Sequence, residues 1–191
     1  QHLTAVNSAY ALTVGPTIGS IDVKPVANHL AATVTVGGTA VASGASKAIA
    51  IAIGTTSITI VVTAQDGTTK TYTLAVTRLS ADTTLRTFEA STNGNAFTLT
   101  QTVNGYSGAV SGTTTSIDFK VITNDSAATV SSTPAATPSG NIYSFPLSVG
   151  ANAITFRVTA QSGATADYSV TINRATPPSN NAALQSLLAA D

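Results

Sequence analysis

The chain has no cysteine, methionine or tryptophan, only five tyrosines and five phenylalanines, and charged residues at just 8% of its positions. Each shortage excludes something. Without cysteine there is no disulfide, no thiolate metal site and no thiol nucleophile. Eight basic and eight acidic residues cancel to zero net charge, so the electrostatic footprint of a nucleic-acid binder is missing. No apolar run approaches the roughly 18–20 residues of a membrane span. Neither nucleic acid nor membrane insertion is expected. His2 and His29 form no His-x-His or His-Glu-x-x-His pattern. The carboxylates are dispersed, with no Asp-x-Asp-x-Asp calcium loop. There is no Gly-x-Ser-x-Gly elbow and no phosphate-cradling loop leading into a helix. The chain is read as non-enzymatic, with no catalytic residue, metal or cofactor.

What is present is 43% hydrophobic residue, chiefly Ala, Val, Ile and Leu, set among Thr, Ser, Asn and Gly. That is too apolar for disorder, and it is the palette of strands and tight turns. Gln1 is not an initiator Met, so a mature or excised product is expected. A surface poor in Lys and Glu resembles that of extracellular bacterial β-proteins.

Self-comparison finds one spacing throughout. Ser20-Ile-Asp-Val-Lys24 returns as Ser116-Ile-Asp-Phe-Lys120, and Val62-Thr-Ala-Gln-Asp-Gly67 as Val158-Thr-Ala-Gln-Ser-Gly163. Tyr72 and Arg78 return as Tyr168 and Arg174, again 96 residues on. Two homologous domains follow. Within a copy, Ile58, Ile60 and Val62 alternate with polar residues, as do Tyr72, Leu74 and Val76. Asp66-Gly67 and Gly37-Gly38 are hairpin signals. Short half-buried strands with turn punctuation predict antiparallel β-sandwiches. Asp22–Lys24 and Asp118–Lys120 read as solvated pairs on an outer strand face. The second copy reads as longer in two places, between Leu99 and Ser116 and after Val130, and both stretches are expected to be loops. Tyr106, in the first of them, is expected either to stack on a surface glycan or to anchor its loop on its own domain.

The run Gly54 to Arg78, with the Gly-rich hairpin Ala32 to Val41, resembles the bacterial cadherin-like β-sandwich family. The resemblance implies an immunoglobulin-like sandwich, used in tandem in secreted and surface proteins, without catalytic activity of its own. Domains of that family open with a strand of pattern Leu-x-x-Leu-x-x-Ser/Ala-x-Gly, then carry a Leu before the next strand's Tyr. Leu85 to Ala90 matches this opening in the second copy, and only nine residues precede Tyr10 in the first. Leu3 fits a later position of the pattern, which leaves no room for the opening strand. At the other end, Leu184-Gln-Ser-Leu187-Leu-Ala189 matches Leu85 to Ala90.

The expected architecture is therefore all-β: two tandem immunoglobulin-like antiparallel β-sandwiches plus a C-terminal strand that completes a neighbouring domain. Residues 1–79 form a sandwich lacking its first strand, 80–175 a complete one, and 176–191 a linker with a candidate donor strand. Three arrangements of that strand are open: insertion into another molecule, closure on its own first domain, or an excerpt boundary in a longer array. In the first, Leu184, Leu187 and Ala189 face an acceptor groove bordered by Leu3, Tyr10 and Leu12. Leu188, which replaces Glu89, is then free to touch a neighbouring subunit. The expected function is a secreted subunit of a surface fibre, with itself as partner through head-to-tail contacts. The competing reading is a non-catalytic spacer or glycan-binding module of a larger secreted protein.

Overall fold

The computed structural model describes residues 8–183, which form sixteen strands and no helix. The described chain splits after Asp82 into two compact units, the short segment Ala160–Ala164 counting with the first.

In the first unit the strands are β1 (Ala9–Val14), β2 (Ser20–Val23), β3 (Thr33–Val36), β4 (Thr39–Val41), β5 (Lys47–Ala50), β6 (Gly54–Thr63) and β7 (Thr69–Arg78). They form one sheet in the order β1-β7-β6-β3-β4 and a second sheet of β2 and β5. Period-two alternation turns Val34, Val36, Ile58, Leu74 and Val76 inward, and all five are buried. The two-residue turn Gly37-Gly38 has φ of 55° and 77°, the left-handed values a tight hairpin requires. At the β6–β7 turn, Asp66 Oδ1 accepts from the Thr68 backbone N–H at 2.9 Å. That bond to the charged form holds the Asp66 carboxyl below its ordinary value.

The second unit comprises β8 (Leu85–Thr92), β9 (Asn95–Phe97), β10 (Thr100–Thr102), β11 (Gly105–Val110), β12 (Ser116–Thr123), β13 (Thr129–Thr133), β14 (Ile142–Pro146), β15 (Gly150–Thr159) and β16 (Thr165–Arg174). Its sheets run β10-β11-β16-β15-β13 and β14-β12-β8-β9. The core is aromatic. Phe156, fully buried, has Phe88, Phe119, Tyr143 and Phe145 within 5.3–5.8 Å between ring centroids.

The expected sandwich architecture is observed, with three differences in detail. Each unit contains one parallel pair, β1–β7 and β11–β16. These are strands distant in sequence that no hairpin joins, so turn signals say nothing about their direction. Next, the stretch between Leu99 and Ser116 is not an inserted loop. It holds β10 and β11, and β11 repeats β1: Tyr106 lies opposite Val170 as Tyr10 lies opposite Leu74. The strand is hard to read in sequence because Gly108 stands where the alternation of Tyr106 and Val110 calls for an apolar side chain. A Cβ on Gly105 would collide with the Ser169 carbonyl oxygen, and one on Gly108 would sit 2.5 Å from the Phe97 ring. Finally, Ser131 to Thr133 continue strand β13 against β15, and Pro134, after a cis bond, ends it. The two copies keep one spacing throughout.

The repeat extends to a guanidinium clamp. Arg78 donates through Nε and Nη2 to Pro16 O (3.0 and 2.6 Å) and through Nη1 to Ile51 O (3.1 Å). Arg174 does the same to Gly112 O (3.2 and 2.7 Å) and Leu147 O (2.7 Å). Each clamp ties the last strand of its unit to a loop and to the residue following β5 or β14. A lysine keeps the charge but not the planar fork. Arg174→Lys is expected to cost the second unit about 1.5–3 kcal/mol in urea unfolding, the worth of one lost charge-assisted bond.

On the outer face of the β15–β16 hairpin, Arg157 and Asp167 are register partners joined by two bonds of 2.8 Å. Their hydrogen bonds and mutual charge hold Asp167 below, and Arg157 above, its ordinary range. Because the folded pKa of Asp167 is depressed, its contribution is present above the unfolded value near 3.8 and is lost as pH falls through the folded value. Comparing Asp167→Asn with the parent, a small difference in unfolding temperature is expected at pH 7 that vanishes in strong acid. The pair is exposed, so the effect is modest.

Candidate functional site

The units differ most at one place. In the second, β12 is flanked on both sides, by β14 and by β8. In the first, its counterpart β2 is paired with β5 alone among the described residues. β2 is also shorter, four residues against eight, and ends where β12 goes on to pair with Leu85 to Glu89 of β8. A strand with no partner on one side has less ladder to extend it.

Backbone geometry shows which groups face the open side. Along an edge, alternate residues turn their N–H and C=O to opposite sides. Pro25 O accepts from Gly44 N at 2.8 Å on the β5 side, as its counterpart Val121 donates to Asn141 O on the β14 side at 2.9 Å. Asp22, Lys24 and Val26 therefore present their backbone groups to the open side. Pro25 has no N–H to offer, but that position faces β5, so the proline does not interrupt the free edge.

Burial changes in step. Ile117, Val121, Tyr143, Phe145 and Phe156 are all buried in the second unit, whereas their counterparts Ile21, Pro25, Lys47, Ile49 and Ile60 are only half-buried. Leu147, Ile154, Val170 and Ile172 keep their burial in the counterparts Ile51, Ile58, Leu74 and Val76, whereas Val62 is half-buried where Val158 is buried. Several of the positions that lose burial line the space that β8 fills. Phe88, from β8, is the hub of that space, with Tyr106, Phe119, Phe156 and Tyr168 at 5.1–6.0 Å between centroids. The corresponding walls in the first unit are Tyr10, Val23, Ile60 and Tyr72.

Of the residues singled out in the sequence, Tyr10 and Leu12 lie on β1, half-buried against the first core. Tyr106 sits on β11 rather than in a loop, with its ring tilted against Phe88 at 5.1 Å, where it borders a surface hollow of about 580 Å³ shared with Phe97, Leu99 and Lys120. It belongs to its own core. Leu3, Leu184, Leu187, Leu188 and Ala189 lie outside the described residues. Sequence reasoning missed Val23, Pro25, Ile60 and Tyr72 as groove walls. The signal for them was available: each stands 96 residues before a neighbour or register partner of Phe88. Among the described residues no three His, Asp or Glu groups gather as a metal site, and no helix is long and apolar enough to cross a membrane.

The family model for the cadherin-like beta sandwich domain matches residues 3–79 and 81–175. The chain belongs to that family. Both units of the cadherin-like chain are covered, each by its own match. Among solved structures, the chain is similar to a protocadherin gammaB7 EC3-6 cis-dimer structure at 14% identity and TM-score 0.46, covering 89% of this chain and 46% of that one. It is also similar to fibronectin(III)-like modules of Clostridium thermocellum CbhA (14% identity, TM-score 0.29, 94% of this chain and 97% of that one). A third is a Bacteroides ovatus SGBP-B in complex with a mixed-linkage heptasaccharide (11% identity, TM-score 0.27, 91% and 68%). The chain thus spans less than half the length of the protocadherin EC3-6 chain. No curated protein sequence matches it.

Proposed function

We infer that this cadherin-like chain is a non-catalytic structural subunit of an extracellular fibre, joined head-to-tail by donor-strand complementation. The observation that carries the reading is the edge of β2 beside apolar side chains that are only half-buried, in a chain whose own residues 184–189 repeat the strand that covers their counterparts in the second unit. An edge strand offers backbone hydrogen bonds to an incoming strand, and a groove sorts its alternate side chains. The partner is a second copy of the chain. A contact between unlike surfaces repeats without closing and produces a filament. The extracellular setting agrees with the family and with the neutral, Thr- and Ser-rich surface. Full-length protein viewed by negative-stain electron microscopy, with sedimentation across concentrations, tests this. Filaments that lengthen with concentration are expected, and a monomer at every concentration would overturn the reading.

A further inference from the structure

Resting on that head-to-tail reading, we propose that the donor strand enters the first unit in a single register, with Leu188 opposite Lys24, and that Leu12 is the positioning residue that stops it sliding further.

The register follows from the second unit. There β8 pairs with β12 so that Ser91 lies opposite Asp118, Ala90 opposite Phe119, Glu89 opposite Lys120 and Phe88 opposite Val121. Carrying β12 back by the repeat spacing, and β8 forward onto the matching tail, sets Ala190 opposite Asp22, Ala189 opposite Val23, Leu188 opposite Lys24 and Leu187 opposite Pro25. Leu187 then occupies the place of Phe88, among Tyr10, Val23, Ile60 and Tyr72. Leu188 and Lys24 both point outward, and their backbones exchange the ladder bonds.

The stop comes from a compensating swap beside the groove. In the second unit the Phe97 ring of β9, opposite Ala90, lies against Gly108 of β11 so closely that a Cβ there would meet it at 2.5 Å. The counterpart of Gly108 in β1 is Leu12, which packs into the first core. The space taken by Phe97 from one sheet is thus filled by Leu12 from the other. The groove is open along the β8 track and closed beyond it. A strand slid two residues further in brings Leu187 against Val23 and Leu12, where only the small Ala189 fits. Slid two residues out, it puts Ala189 in the Leu187 space and leaves a hole. Overpacking and cavities both disfavour the slips.

The absence of native cysteine makes the test direct. Directly opposite residues of an antiparallel pair have Cα atoms about 5.5 Å apart, within disulfide reach, and a two-residue slip adds about 6.8 Å along the strand. Three full-length variants are assembled under mild oxidation: Lys24→Cys with Leu188→Cys, with Ser186→Cys, and with Ala190→Cys. The Leu188 pair is expected to give a ladder of reducible oligomers, in yield at least about tenfold above either other pair. A ladder from the Ser186 or Ala190 pair instead overturns the register and leaves the filament reading standing. Absence of cross-links and filaments in all three overturns both. A cross-linked band of monomer size keeps the register and overturns the contact between molecules. Adding Leu12→Ala should bring the Ser186 pair up severalfold while the Leu188 pair still forms, which also shows that the variant is folded. Unchanged selectivity in that background removes Leu12 from the role.

Discussion

Deleting residues 180–191 is expected to leave a subunit that stays monomeric and whose first unit unfolds earlier, while the second unit is unaffected. On the head-to-tail reading, the deletion removes Leu184, Leu187 and Ala189 together with the ladder bonds they would make along the β2 edge. Each fully buried Leu is worth roughly 1.5–3 kcal/mol, and each backbone bond about 0.5–1.5 kcal/mol net, against several kcal/mol lost on immobilising a partner. One side chain therefore decides whether the contact survives at micromolar concentration. Leu187→Asp alone is expected to raise the critical concentration for polymerisation at least about a hundredfold, as a loss near 3 kcal/mol implies. A synthetic peptide of residues 180–191 added to the truncated protein should raise the first unfolding transition in a saturable way, because it binds only the folded groove. If the truncated chain still forms the same fibres, the groove is not the joint.

Much of this architecture can be read from the sequence, and the rest is hidden for identifiable reasons. The β6–β7 and β15–β16 hairpins declare themselves through Ile58, Ile60 and Val62, and through Tyr72, Leu74 and Val76. One face of each is buried, and period-two alternation is the signature of that. β11 does not, because close approach by Phe97 demands glycine at position 108, where alternation demands an apolar side chain. The parallel pairs carry no turn signal, so their direction is fixed only by packing. The likeness of residues 184–189 to β8 is plain in the letters, since Leu184, Leu187 and Ala189 stand at the intervals of Leu85, Phe88 and Ala90. The groove it matches is not, because Val23, Pro25 and Ile60 look like ordinary strand residues until their counterparts Phe119, Val121 and Phe156 are seen surrounding Phe88. Tyr106 is hidden for the same reason: aligned with Tyr10, it is a core residue, and read alone beside glycines it looks like a loop.

The contrast between Phe156 and Ile60 gives the second large effect. Phe156 is fully buried in a sandwich completed by its own β8. Phe156→Ala is expected to destabilise the second unit by about 3–5 kcal/mol, the range for emptying a buried aromatic site, with or without polymerisation. Ile60 holds the equivalent position in a sandwich whose β2 edge is unpaired among the described residues, and it is half-buried. In the tail-deleted monomer, Ile60→Ala removes a side chain already partly in water, so about 1 kcal/mol is expected from the reduced apolar burial. In the assembled fibre the same substitution empties a site that Leu187 has closed over, and the cost rises to about 2–5 kcal/mol, the range for a buried Ile. Urea unfolding of the truncated monomer, set against the critical concentration and fibre unfolding of the full-length variant, measures the two values separately. Equal costs in monomer and fibre would mean that nothing covers Ile60 on assembly, and the joint would have to lie elsewhere. For Phe156 no such difference between the two states is expected, because its covering strand is part of the same chain.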